Sequence, residues 1–453
     1  MNTISSLRNQ ALEILKKGIA AADPAQAVKQ VIRVNDFHFD LYLDKHDPDK
    51  IRQGRWPSVH VIGFGKAACP MVKAAMDLIP SHRLGSKPIA VTNYGNGLVS
   101  EDFEVLEARH PLPDSAGQRA AIKITRQLKK AQSGELVLVL ISGGGSSLLP
   151  YPITGLNLQE KIATTNLLLA SGANINEINT IRKHLSQLKG GQMARLAAPA
   201  DLHALILSDV LGDDLSSIAS GPTVPDNTTF ADAIRILKAR QIWDQVPAQV
   251  RFLLKRGLHK NLPETPKPRD AVFNRTSHIL VGSNTVSLMA AKQQAEQLGF
   301  ISRIFSTQLC QEARVAAEEF AEYAHRLCKE GVSEPTAILA GGETTVTLKG
   351  KGNGGRNQEM ALAFALAAKK YKISHSWVFL SAGTDGRDGP TDAAGGIVDK
   401  GTLLRMKQAR VNPVNRLKNN DSYPALKKSE DLIITGPTGT NVADLQILLI
   451  LPA

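Results

Sequence analysis

Asp385, Asp388 and Asp392 stand among five glycines in SAGTDGRDGPTDAAGG, residues 381–396. The segment follows the apolar run Trp377–Leu380, which reads as a buried strand. Glycine lets backbone N–H groups approach a ligand closely. Clustered carboxylates at a strand end repel one another unless a cation or a proton in transit sits between them. A divalent cation or general acid–base work would account for them, with an acidic surface loop as the plain alternative.

Four glycine-rich loops, this pattern's companions, follow predicted strands, where open α/β sheets bind their ligands. GFGKAA, Gly63–Ala68, matches the dinucleotide fingerprint by letter. The acidic residue that such a fingerprint needs at the end of the next strand is missing from KPIAVTNYG. Lys66 instead sits at the start of a helix, where a cation adds to the positive end at about 0.3–1 kcal/mol. A bound anion would relieve it. SGGGSSLL, Ser142–Leu149, leaves backbone donors uncovered. Ser142, Gly143, Gly144, Gly145, Ser146 and Ser147 are therefore expected to hold phosphate or carboxylate. In SDVLGDDLSSIASGPT, Asp209, Asp213 and Asp214 are candidate bases or metal ligands, and Asp214 also suits a cap. The fourth loop runs from Gly341-Gly342-Glu343 to Gly354-Gly355-Arg356. Arg356 opens a helix as Lys66 does, and its fork suits planar recognition of carboxylate or phosphate. Glu359 reads as a stabiliser of that helix start. Both cations lie on glycine loops and are expected to matter for rate and little for stability. INTIRKHLSQLKGGQMAR, residues 178–195, adds Arg182, Lys183, His184 and Lys189, either a solvated helix face or a substrate-facing one.

The elements behind these loops alternate short β-branched runs with amphipathic segments, the pattern of parallel sheets covered by helices. Strands are expected at Val59–Phe64, Ile89–Thr92, Leu136–Ile141, Ala204–Leu207, His278–Val281, Ile301–Phe305 and Leu445–Leu451. Helices are expected near Ala67–Leu78, Thr285–Leu298 and Gln311–Lys329. Leu7, Ala11, Ile14 and Leu15 recur at helical spacing and predict a first helix. HKNLPETPKPRD, residues 259–270, reads as a linker or a surface crossing, with a domain boundary placed there that divides the chain into units 1–265 and 275–453.

Composition narrows the function classes. No stretch approaches the roughly 18 apolar residues of a membrane span, and no signal-peptide pattern opens the chain. A cytoplasmic protein is expected, without membrane partners. Three cysteines without CxxC spacing argue against a disulfide framework, and scattered histidines argue against zinc. The net charge of +12 is dispersed, without a nucleic-acid signature, and suits a small anionic ligand. P-loop and protein-kinase motifs are absent.

In order along nearly the whole chain, GFGKAA, SGGGSSLL, INTIRKHLSQLKGGQMA, LILSDVLGDDLSSIASGPT, GGETTVTLKGKGNGGRNQE and SAGTDGRDGPTDAAGGIVD resemble the motifs of the glycerate 2-kinase family. The resemblance implies an α/β fold: an N-terminal Rossmann-like parallel-sheet domain and a smaller C-terminal α/β domain of the MOFRL type with a mixed sheet. It places the active site in the cleft between them. It implies phosphorylation of D-glycerate at its 2-hydroxyl, with ATP and Mg²⁺. Lys66 and Arg356 match the family's essential lysine and arginine, Asp209 its SD motif and Asp385 its TDG motif. Asp209 would orient or deprotonate the hydroxyl, and Asp385 with Asp388 would hold Mg²⁺, although these roles could be exchanged. Glu343 is grouped with the substrate-binding residues, and Asn284 is expected near adenine or ribose. A homodimer is one assembly left open. The competing readings are an NAD(P)H-dependent hydroxypyruvate reductase, from the fingerprint, and an anion-binding protein without catalysis, from the charge.

Overall fold

The computed structural model describes residues 3–35, 38–44, 47 and 49–453. By internal contacts the chain forms two units, Pro24–Val281 and a second that joins the N-terminal stretch up to Asp23 to Gly282–Ala453.

In the first unit, β1 (Ile32–Val34), β2 (Phe39–Tyr42) and β3 (Ile51–Gly54) make a small antiparallel sheet. The main sheet contains β4 (Val59–Phe64), β5 (Ile89–Asn93), β6 (Glu104–Ala108), β7 (Leu136–Ile141), β8 (Asp201–Leu207) and β9 (Thr276–Gly282). Their spatial order is β6-β5-β4-β7-β8-β9. β4 pairs in parallel with β5 and β7, β5 with β6, and β7 with β8. Counted from β4, this is the 3-2-1-4-5-6 order of doubly wound nucleotide-binding sheets, so the Rossmann-like expectation holds. Every residue of β4 and β7 is buried, which is why β7 is an unbroken apolar run and β4 is one but for His60, whose Nε2 meets Glu135 at 3.0 Å.

The second unit holds β10 (Ile301–Leu309), β11 (Thr336–Gly342), β12 (Trp377–Gly383), β13 (Gly395–Asp399), β14 (Leu432–Ile433) and β15 (Asp444–Ile450). Their order is β10-β11-β15-β12-β13-β14. Only β10 and β11 run in parallel, so the sheet is mixed, as expected. Helices cover both faces. Phe320 of Ala313–Glu330 and Phe364 of Arg356–Lys370 meet Phe379 of β12, the last pair stacked at 4.1 Å. On the opposite face lie the helices Asn284–Gln297 and Thr3–Ala20.

Two expectations about the division fail. The first helix, Thr3–Ala20, does form, and Leu7, Ala11, Ile14 and Leu15 are buried. They pack against Leu445, Ile447 and Leu449 of β15, so this helix belongs with the C-terminal sheet rather than to a unit 1–265. Gly18 allows the approach, since a Cβ there would lie 2.6 Å from Leu445. Residues 259–270 are no linker either. Glu264 accepts from Phe230 N–H at 2.9 Å, Arg195 donates to the Glu264 carbonyl at 2.9 Å, and Thr265 donates to Asp226 at 3.0 Å. Prolines and charges there serve a crossing held down by hydrogen bonds, and β9 extends the first sheet beyond it. No helix among the described residues is long and apolar enough to cross a membrane.

Candidate functional site

The strand order reverses between β4 and β7, and the GFGKAA and SGGGSSLL loops leave the carboxyl ends of those two strands. Crevices at such reversals are where doubly wound sheets take ligands. The loops are laced together. Lys66 N–H donates to the Gly143 carbonyl at 2.8 Å, and Ala67 N–H to Ser142 Oγ at 3.0 Å. Gly65 has φ +123°, and a Cβ there would lie 2.2 Å from Ser142 Oγ. Ser142 is therefore buried in the brace that holds Lys66, which corrects its expected place as a ligand contact. No hydrogen bond or ion pair within the described residues engages Lys66 Nζ.

Asp209 follows β8 and lies against the same turn. A Cβ on Gly143 would sit 2.1 Å from Asp209 Oδ2, so the glycine is what admits the carboxylate. Burial pushes the Asp209 carboxyl above its ordinary range, and the Lys66 charge pulls partly the other way. A raised carboxyl pKa makes the carboxylate a stronger base than an ordinary aspartate. Asp214 is a local cap, accepting from Ser216 N–H at 3.0 Å and from the Ser216 and Ser217 hydroxyls at 2.8 and 2.7 Å. Ala219 and Ser220 both carry left-handed φ, +51° and +62°, a conformation costing a non-glycine residue about 1–2 kcal/mol. It delivers the Ser220 hydroxyl to Asn179 at 2.9 Å and beside Ser146 Oγ at 3.0 Å.

His110 is a neighbour that sequence reasoning missed. A Cβ on Gly144 would lie 3.1 Å from His110 Nε2 and 3.5 Å from Lys66 Cγ. Burial and Lys66 together lower its pKa, so it stays neutral at physiological pH. The signal was its place just past β6, a strand whose part-exposed residues hide it in the sequence.

The second unit builds its own cluster. β15 runs antiparallel to both neighbours, so Asp444, at its start, pairs in register with Gly342 and Gly383 at the ends of β11 and β12. Arg356 reaches it in a two-pronged contact, Nε to Oδ2 at 2.6 Å and Nη2 to Oδ1 at 2.9 Å. Arg356 Nη1 meets Glu343 Oε1 at 2.8 Å. Burial alone would lower the guanidinium pKa, but Asp444 and Glu343 raise it, so the charge is permanent. The cation expected to await a bound anion thus has protein carboxylates already. Asp444 was missed; its trace is a lone carboxylate opening the apolar strand DLQILLI.

Asp388 and Asn284 have other duties than expected. Asp388 Oδ1 accepts from Asn357 N–H at 3.1 Å and Oδ2 from Gln358 N–H at 2.8 Å. It caps the helix Arg356–Lys370 from outside, because Gly355 at the N-cap has no side chain to do so. Burial lifts its pKa to about 6. These amide contacts account for the buried Asp388 carboxylate as a helix cap, without calling on a cation. Asn284 is buried and donates to the Val442 and Asp444 carbonyls, both at 2.8 Å, bracing the start of β15 rather than facing a nucleotide. Glu359 binds Arg314 at 2.7 Å and Asn420 at 3.0 Å instead of the helix start.

Asp385 does fit. It is part-exposed and bonded through Oδ1 to Arg387 N–H at 2.9 Å. A Cβ on Gly383 would lie 3.3 Å from Asp385 Oδ1 and 3.5 Å from Asp444 Oδ1. No group of three or more His, Cys, Asp or Glu among the described residues is arranged to hold a metal. Mg²⁺ keeps its waters and takes one or two carboxylates plus substrate phosphates, so a single carboxylate such as Asp385 is a sufficient protein contribution. A nicotinamide cofactor fits poorly, since β5 ends at Asn93 with no acid for a ribose.

Known proteins share this architecture throughout. The family model described as a domain of unknown function (DUF4147) matches residues 10–255, and the MOFRL family model matches residues 336–444. The glycerate 2-kinase of Pyrococcus horikoshii is 40% identical over 447 residues, covering 98% of this chain and 97% of that protein. The D-glycerate 2-kinase of Thermotoga maritima is 42% identical over 449 residues, covering 98% and 99%. The crystal structure of the Thermotoga maritima glycerate kinase superposes with a TM-score of 0.86, covering 99% of this chain and 100% of that one.

Proposed function

This chain belongs to the glycerate 2-kinase family, and from that premise we propose that it transfers the γ-phosphoryl group of ATP to the 2-hydroxyl of D-glycerate. The observation that carries the reading is the switch-point turn, where the Lys66 ammonium makes no ion pair among the described residues while the Asp209 carboxyl, within reach of its charge, lies against Gly143.

Phosphoryl transfer asks a protein mainly for positioning and neutralisation of charge. Lys66 would stabilise the oxygens of the group in flight, held in place by the Gly143 carbonyl and the Ser142 hydroxyl behind it. Asp209 would accept the proton of the substrate hydroxyl, its raised pKa matching that task. Arg356, oriented by Asp444, has further N–H groups for an anionic substrate. The amides of Gly144, Gly145 and Ser146 would cradle an anion. Mg²⁺ when bound would withdraw charge from the phosphates, and Asp385 is the residue that would hold it.

The test is ADP release with D-glycerate, ATP and Mg²⁺, with phosphorus NMR of the product. A 2-phosphoglycerate signal is expected. A 3-phosphoglycerate signal would overturn the proposed pose, and absence of ADP from folded protein would overturn the kinase reading.

A further inference from the structure

Beside Ser146 and Ser147, wholly within the first unit, lies a cavity of about 210 Å³. Three cations from three different elements line it. Lys161 comes from the helix Leu158–Ala170, Arg182 from Ile175–His184, and Lys189 from the turn that follows. No Asp or Glu lines it.

The fold pairs another buried cation in this region: Lys183, adjacent to Arg182 in sequence, meets Asp226 at 3.4 Å. Among the described residues Lys161 Nζ, by contrast, reaches only the Leu185 carbonyl at 3.0 Å, and Lys189 Nζ only the Ser146 carbonyl at 2.7 Å. An ammonium has three N–H groups, so each retains donors beyond that single carbonyl. Buried cations without counter-charge cost several kcal/mol each. Burial lowers Lys161 to about 7 and Lys189 well below the lysine range, with their mutual repulsion and that of Arg182 adding to it. Three elements converging on desolvated cationic groups, with no counter-charge lining the cavity among the described residues, make a site whose lysines hold their protons fully only with an anion in it.

Charge decides which anion. A glycerate carboxylate brings one negative charge and would leave two cations uncompensated. A nucleoside triphosphate brings roughly four, from phosphates whose last pKa is near 6. Arg182 adds a fork suited to phosphate. Ile162, with the exposed Leu112 and Leu169 at the rim, supplies the apolar part of the lining.

We infer that this cavity holds the polyphosphate of the phosphoryl donor, with Lys161, Arg182 and Lys189 matching its charge and Ser146 and Ser147 leading its terminal phosphate to the Lys66 turn. The inference rests on the kinase reading.

The test uses the full chain with Lys161→Met, Arg182→Gln and Lys189→Met, through steady-state kinetics and calorimetry with inorganic tripolyphosphate. Each variant should raise KM for ATP about tenfold or more, leave KM for D-glycerate within about twofold, and abolish most tripolyphosphate binding. Tripolyphosphate binding to the parent protein should take up protons, seen as a heat that changes with buffer. Should a methionine variant not fold, Arg182→Gln, on a part-exposed side chain, carries the test. A rise in KM for D-glycerate with KM for ATP unmoved would overturn the inference, as would intact tripolyphosphate binding in all three variants. Parent protein that binds tripolyphosphate through these residues yet releases no ADP would fell the kinase reading and leave the polyphosphate site standing.

Discussion

Asp444 holds Arg356 by both carboxylate oxygens, at 2.6 and 2.9 Å, although 88 positions separate them in the chain. Asp444 is fully buried and Arg356 only partly. The two residues therefore answer differently to substitution, contrary to the expectation that Arg356 matters for rate alone.

Asp444→Asn should lose about 1–3 kcal/mol of stability. That is below the ~3–5 kcal/mol of a fully buried broken pair, because Arg356 is partly solvated and keeps Glu343. Arg356→Ala strands the buried carboxylate and should destabilise at least as much. Both should reduce kcat. Urea unfolding alongside kinetics checks this, and an Arg356→Ala curve matching the parent would show that the pair contributes nothing to stability.

Lys66→Ala should separate rate from stability. Its ammonium has no partner to lose among the described residues, so the melting temperature should stay within about 1 °C, following the near-neutral effect of most surface changes. The transition state would lose a charge contact, with kcat falling about 10²–10³-fold. Unfolding of this variant would instead make the lysine structural.

Asp388 and Asp385 can be told apart by magnesium. Asp388→Ala removes the outside cap of the helix Arg356–Lys370 and should cost about 1–2 kcal/mol, with the Mg²⁺ dependence of rate unchanged. Asp385→Asn should leave stability nearly intact and raise the Mg²⁺ requirement about tenfold or more. The opposite pattern in a Mg²⁺ titration would exchange their roles.

Lys161 gives a pH signature. Its pKa falls from 10.5 to about 7 on folding, through burial and the nearby Arg182. The cavity-lining Lys189 also faces it. Between these values the unfolded chain binds more protons, so this lysine makes stability rise with pH across that interval. Lys161→Met should raise the melting temperature most at and below pH 7, with the gain shrinking toward pH 10.5. A gain independent of pH would mean that the lysine is not desolvated.

The sequence by itself determined the strands and the loops they carry. Val59–Phe64 and Leu136–Ile141 match β4 and β7 to the residue, because strands buried on both faces are near-continuously apolar, broken here only at His60 of β4. Lys66, Asp209 and Asp385 were legible because each sits in a glycine loop just past such a strand. Tertiary structure alone decided the partners. Asp444 meets Arg356 through the antiparallel register of β15 with β11 and β12, and no local pattern encodes that register. Asp388 became a cap because Gly355 left the amides of a distant helix uncovered. In the sequence Arg182 and Lys189 read equally as a solvated or a substrate-facing helix face, and nothing singles out Lys161. Packing three elements around one cavity removed their water and their counter-charges together, because desolvation belongs to the assembled fold and not to any residue within it.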